Sequence, residues 1–184
     1  MIGVVGAGHA MGTTHLCILT ANYLCSACGK KTAVLEWNGH GDFARFGSAC
    51  TGNGWEEPVY RIQEVDFYPN ADGHRLADCM EKGYQRIIID FGILKEQKNA
   101  EILRCHKVFL MVSFSEWQEG VFGKMDIWQE RAVHNGWQCL TVFGSEESRI
   151  RWNKRRRPAV LRIPFSVDAF TVTEEVMNWM KPLL

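Results

Sequence analysis

The chain has 184 residues, which suggests one domain, 1–184, with ample length for a packed core. Its 21 Lys and Arg balance 21 Asp and Glu, so the global field selects neither nucleic acid nor cations as a partner. The 46% apolar and 23% charged content is that of an ordinary globular domain, and no run approaches the ~18 uninterrupted apolar residues of a membrane span. The first residues run from a short apolar stretch into glycines, without the basic leader and cleavage site of a secretory signal, so a cytoplasmic location is expected. Seven cysteines, an odd number set mostly in apolar patterns, read as reduced thiols. Cys25 and Cys28 form the one C-x-x-C, with no second ligand pair beside it; a structural role, a redox role and a dimer-bridging metal stay open.

In chain order, Ile2, Val4 and Val5 form a short strand that enters a loop carrying Gly6, Gly8 and Gly12. Glycines let the backbone approach an anion, and free amides at a helix start face it, so strand, glycine loop and helix read as a phosphate cradle. Thr14 to Cys28 has the three- and four-residue apolar spacing of a helix, stopped by Gly29. Thr32 to Glu36 is a buried strand, and a helix between two such strands predicts a parallel βαβ unit. Residues 43–57, with Gly47, Gly52 and Gly54, read as irregular. Val59 to Phe67 reads as one strand, Leu76 to Lys82 as a short helix, and Ile87 to Asp90 as the clearest buried strand.

The second half repeats the alternation. Glu96 to Arg104 is a helix candidate, Lys107 to Phe114 a buried strand, Ser115 to His134 a longer helix, and Gln138 to Phe143 a strand. Arg149 to Arg157 is polar and basic, with a solvated loop as the plain reading. Ala159 to Ile163 is a last strand and Val172 to Met180 a C-terminal helix. Trp117, Trp128, Trp137, Trp152 and Trp179 are expected to pack on the sheet, and any left exposed would mark a partner surface. The sum is an α/β fold of three layers, α/β/α, with a mostly parallel sheet.

Such sheets bind ligands beyond the carboxyl ends of their strands. The candidate positions are therefore the loop residues Gly6, Gly8, His9, Met11, Gly12, Thr13, Thr14 and His15, then Glu36 with Asn38, Asp90, and Ser113 to Glu116. His9 and His15 are candidate anion partners, whereas His40, His74, His106 and His134 show no matching spacing and receive no role.

Gly8 to His15, read against a P-loop, resembles the deviant loop K-G-G-x-G-K-T-T of the MinD/ParA branch of P-loop NTPases, the SIMIBI class. Gly12 and Thr14 match; the family's two lysines fall on Gly8 and Thr13. The family's second strand ends D-x-D-P-Q-G-N, and here Glu36 to Asp42 keeps the first acid as Glu36 and has Asn38 at the second. Its Y-D-x-I-I-I-D strand is matched by Tyr84 to Asp90, and its late Ile-Pro by Ile163 and Pro164. The resemblance covers most of the chain. It implies a P-loop NTPase-like fold, weak ATP or ADP binding, and Mg²⁺ held by Thr14 and Asp90 through water. Loss of both lysines and of the water-positioning acid implies a degenerate, non-hydrolysing member, similar to the pilus-assembly localisation proteins TadZ and CpaE. Such a protein acts in localisation, scaffolding or regulated assembly, with a homodimer or protein partner.

Two alternatives accompany that reading. An active but atypical ATPase is one. The other is a Rossmann-type NAD(P)-binding oxidoreductase, since Gly6, Gly8 and Gly12 follow a strand and Glu36 ends the next, where an acid would bind ribose. The basic residues Arg149, Arg151, Lys154, Arg155, Arg156 and Arg157 offer phosphate contacts to DNA or to acidic membrane, which adds peripheral membrane attachment as an alternative location.

Overall fold

A computed structural model of the chain describes residues 1–51, 58–93, 100–118 and 132–184. Four strands dominate the centre: β1 (Ile2–Gly6), β2 (Thr32–Glu36), β5 (Arg86–Ile93) and β6 (Lys107–Phe114). Their side chains are almost entirely buried on both faces, as expected for parallel strands covered by helices on each side. The described residues form one eight-stranded sheet in the order β3-β4-β2-β5-β1-β6-β7-β8, with β3 (Tyr60–Ile62), β4 (Val65–Tyr68), β7 (Gln138–Gly144) and β8 (Val160–Arg162) towards its edges. Every pairing is parallel except β3 with β4. The helices are α1 (Thr13–Asn22), α2 (Asp42–Thr51), α3 (Gly73–Glu81), α4 (Glu146–Arg155) and α5 (Glu174–Met180).

The strand order disposes of the Rossmann alternative. In that fold β1 lies beside β2. Here β5 stands between them, pairing Val4 with Asp90 on one side and Glu36 with Asp90 on the other. The chain leaves β1 towards one half of the sheet and returns to β1's other flank at β6. The carboxyl end of β1 is therefore a crevice, and the glycine loop sits in it.

Several elements differ from their sequence-based expectation. The stretch after Asp42, expected to be irregular, is helical to Thr51, while 52–57 lies outside the described residues. Its glycine reflects close packing: a methyl at Gly47 would lie 2.9 Å from the Tyr60 ring. Phe43 and Phe46 bind this helix to Phe67, with ring centroids 5.5 Å apart in both pairs. The single strand expected over Val59 to Phe67 is a hairpin, because Gln63 (φ 47°) and Glu64 (φ 67°) both turn left-handed. The first helix changes after Asn22 to a π-helical turn, Tyr23–Ala27, and ends at Gly29 (φ 61°) as expected.

The basic stretch is a helix, α4, not a loop; Ser145 caps it by accepting from the amide of Ser148. The helix expected from Glu96 shows a 3₁₀ turn, Ala100–Arg104, with 94–99 outside the described residues. Of the long helix expected from Ser115, residues 116–118 form a turn, 132–134 are helical, and 119–131, with Trp128, lie outside the described residues. Trp137 is buried, but Trp117 is 81% exposed. All seven cysteines are free thiols, so Cys25 and Cys28 form no disulfide, and no metal-binding cluster exists among the described residues. Among those residues, no helix is long and apolar enough to cross a membrane.

Candidate functional site

β1 hands the chain to the glycine loop at a point where space is scarce. A methyl at Gly6 would meet Thr13 Oγ1 at 2.9 Å and the Gly8 carbonyl oxygen at 3.0 Å. Two left-handed turns, Ala10 (φ 54°) and Gly12 (φ 86°), fold the loop back onto the start of α1. The Ala7 amide donates to the Met111 carbonyl (2.8 Å), tying the loop to β6, and Gln118 Nε2 donates to the His9 carbonyl (2.9 Å). The amides of Thr13 to His15, in the first turn of α1, have no intrahelical acceptor. Free amides in alternating turns at a helix start form a nest for an anion.

Beneath the loop, Thr14 Oγ1 donates to Asp90 Oδ2 at 2.7 Å. The other oxygen of this fully buried carboxylate accepts from the Gly92 amide at 2.9 Å. Burial pushes the Asp90 carboxyl above the usual carboxylate range, opposed by those two bonds. A cleft of about 260 Å³ opens over this pair, lined by Gly8 to His15 and, from the facing loops, by His40, Asp42, Gly92 and Ile93. Met11 and Thr13 are buried. An apolar cavity of about 120 Å³ shares Gly12 and His15 with the cleft and runs past Leu16, Val142, Pro164 and Phe165. Burial lowers the His15 pKa, with Asp168 acting weakly the other way.

Not every expected residue reaches the cleft. Glu36 is fully buried; its Oε1 accepts from the amides of Asp42 (2.6 Å) and Phe43 (3.3 Å), and its Oε2 from that of Asn70 (3.2 Å). It anchors the start of α2 and lies off the cleft walls. Asn38 is spent on the loop as well: its Nδ2 donates to the Asp90 carbonyl (3.4 Å) and its Oδ1 accepts from the His40 amide (2.9 Å). Ser113 and Ser115 are buried and bond each other at 3.1 Å, away from the cleft. His40, given no role from spacing, is on the wall; its position four residues past the end of β2 was the available signal.

The basic residues of α4 divide. Arg149 is folded into an ion pair with Glu146 and a bond to the Val160 carbonyl (2.8 Å). Arg151 pairs with Glu147 (2.9 Å), Arg156 lies over the Trp152 ring (5.4 Å), and Arg157 donates to the Asn153 carbonyl (2.8 Å). Lys154 and Arg155 form no ion pair among the described residues.

A parallel strand, a glycine loop, a helix start and a hydroxyl–carboxylate pair beneath it make the arrangement of a P-loop-type α/β fold. Solved structures narrow the fold. A plasmid partition protein of Borrelia burgdorferi B31, bound to AMPPNP, is similar at TM-score 0.69 and 11% identity, over 98% of this chain and 94% of that one. A ParA family ATPase of Chlorobium tepidum is similar at 0.63 and 14%, over 98% and 92%. The septum site-determining protein MinD of Pyrococcus horikoshii, complexed with Mg-ADP, is similar at 0.62 and 13%, over 96% and 90%. The chain has the ParA/MinD fold. No family model and no curated protein sequence matches it.

Proposed function

We propose that residues 1–184 are one ParA/MinD-type domain that binds ATP or ADP with Mg²⁺ in the glycine-loop cleft and does not turn ATP over at an appreciable rate. The observation that carries this reading is the cleft itself: helix-start amides stand over a Thr14–Asp90 pair, and among the described residues no lysine or arginine lines it. The phosphates would lie on the amides of Gly8 to Thr14, with the base against the apolar cavity beside Leu16 and Pro164. One hydroxyl and one carboxylate suit a hard cation that keeps most of its waters, so Thr14 and Asp90 would hold Mg²⁺. The metal would neutralise phosphate charge. Asn38, whose amide is engaged with the Asp90 carbonyl and the His40 amide, is not free to orient an attacking water. The AMPPNP and Mg-ADP of the structural relatives support the ligand class.

The role that follows is localisation, scaffolding or regulated assembly, as in proteins similar to TadZ and CpaE. Exposed apolar residues near the loop support a protein partner or a homodimer there: Trp117 beside Gln118, and Phe165 and Val167 (75% and 86% exposed) beyond the apolar cavity. Lys154 and Arg155 are the α4 cations most available to DNA or acidic lipid. A thermal-shift panel of ATP, ADP and NAD(P), with and without Mg²⁺, tests the ligand, because a ligand bound only by the folded chain raises its midpoint. A Mg²⁺-dependent rise with ATP and ADP is expected, lost in Asp90→Ala. No rise with either nucleotide would overturn the reading.

A further inference from the structure

Among the described residues, the basic side chains on the cleft walls are His9, His15 and His40. His15 is half-buried beside apolar residues, and that burial favours its neutral form. His9 is exposed at the loop tip, where its backbone carbonyl, not its ring, is held by Gln118. His40 is exposed as well, but its backbone has a built seat. Its amide donates to Asn38 Oδ1 (2.9 Å), and Asn38 is tied in turn to the carbonyl of Asp90. A methyl at Gly92 would lie 3.3 Å from His40 Cε1 and 2.6 Å from Asn38 Cβ. Gly92 takes the left-handed conformation (φ 63°) at that point, so β5 carries no side chain where the histidine rests.

Among the described residues, the carboxylates around His40 each have a partner. On its own loop, Asp42 is paired with Arg45. Below it, Glu36 accepts from three backbone amides. From β5, Asp90 accepts from Thr14 and the Gly92 amide. From the glycine loop come His9 and His15.

We propose that His40 is the phosphate-binding cation of the cleft, facing the terminal phosphates of a bound nucleotide from the β2–α2 loop and standing in for the lysines that Gly8 and Thr13 replace. This rests on the reading of the cleft as a nucleotide site. An imidazolium binds phosphate through charge-assisted hydrogen bonds, and neutral imidazole gives up the charge, so binding is tied to proton uptake. Bound phosphate holds the proton on His40, so affinity falls as pH rises.

The experiment is calorimetric titration of Mg²⁺-ADP into the wild-type chain, His40→Gln and His40→Arg, at roughly pH 6 and pH 8. Phosphate itself titrates near pH 6, so the contrast between variants is the readout. Wild type is expected to bind about tenfold tighter at the lower pH than His40→Gln does, one linked proton giving up to about tenfold per pH unit. His40→Arg is expected to bind more tightly than His40→Gln at both, with the same pH profile. Unchanged melting midpoints in all three chains confirm that the fold is not the variable. Parallel pH profiles for wild type and His40→Gln would overturn the role of His40 and leave the nucleotide reading standing. No ADP binding by any folded variant at either pH would overturn the nucleotide reading itself.

Discussion

Glu36→Gln isolates the carboxylate that holds the β2–α2 loop. Glu36 is fully buried and accepts from three backbone amides, two at Oε1 and one at Oε2. Glutamine keeps one acceptor oxygen, so the Asp42 and Phe43 amides remain satisfied. Its NH₂ then meets the Asn70 N–H, donor against donor. An NH₂ left unpaired at the fully buried residue 36 costs roughly 1–3 kcal/mol, and the two remaining bonds lose their charge assistance. The expected loss is about 2 kcal/mol. Urea unfolding reads it directly: with a slope of about 2 kcal/mol/M for a chain of this size, the midpoint should fall by about 1 M at unchanged slope. The Asn70 arm alone is at stake, so Glu36→Ala, which strips all three amides, should lose more. A midpoint shift under about 0.2 M for the glutamine variant would refute the assignment of Glu36 as a structural anchor, and would return it to the candidate ligand residues.

Gly92→Ala forces a methyl to within 2.6 Å of Asn38 Cβ at a left-handed backbone position, so a loss of about 1–3 kcal/mol and weakened ADP binding are expected together, by urea unfolding and calorimetry. His15 has a folded pKa below its unfolded value, so its contribution is fully present above about pH 6.5 and is lost as pH falls through the folded pKa. Melting midpoints of wild type should therefore drop more than those of His15→Gln between neutral and mildly acid buffer; equal drops would contradict this. Thr13→Lys restores a cation to the loop and should tighten Mg²⁺-ATP binding at neutral pH, measured by calorimetry. No gain would contradict the placement of Thr13 at the phosphate-lysine position.

The parallel core was legible because its strands need no partner to declare themselves. Ile87 to Ile89 and Val108 to Val112 are uninterrupted apolar runs, and both are fully within buried strands. The glycine loop was legible for a related reason: backbone proximity leaves glycine as its trace, as Gly6 and Gly12 show. The same residue type misled at Gly47, where the tertiary contact with Tyr60, and not local flexibility, excludes a side chain. The hairpin at Gln63 and Glu64 was hidden because neither residue advertises a positive φ. Glu36 and Asn38 stand at the strand end where ligands bind, yet hydrogen bonding with backbone 34 and 52 residues away consumes them, and no local pattern encodes that. His40 was missed on the same ground: its seat is made by Gly92, far along the chain.

A cleft that binds nucleotide without turning it over should return its ligand unchanged. The purified chain is incubated with Mg²⁺-ATP, separated from free nucleotide by rapid gel filtration, and analysed by ion-exchange chromatography. Nucleotide should travel with the protein and be recovered as ATP. Recovery as ADP, with ADP accumulating in solution at a rate abolished by Asp90→Ala, would contradict it.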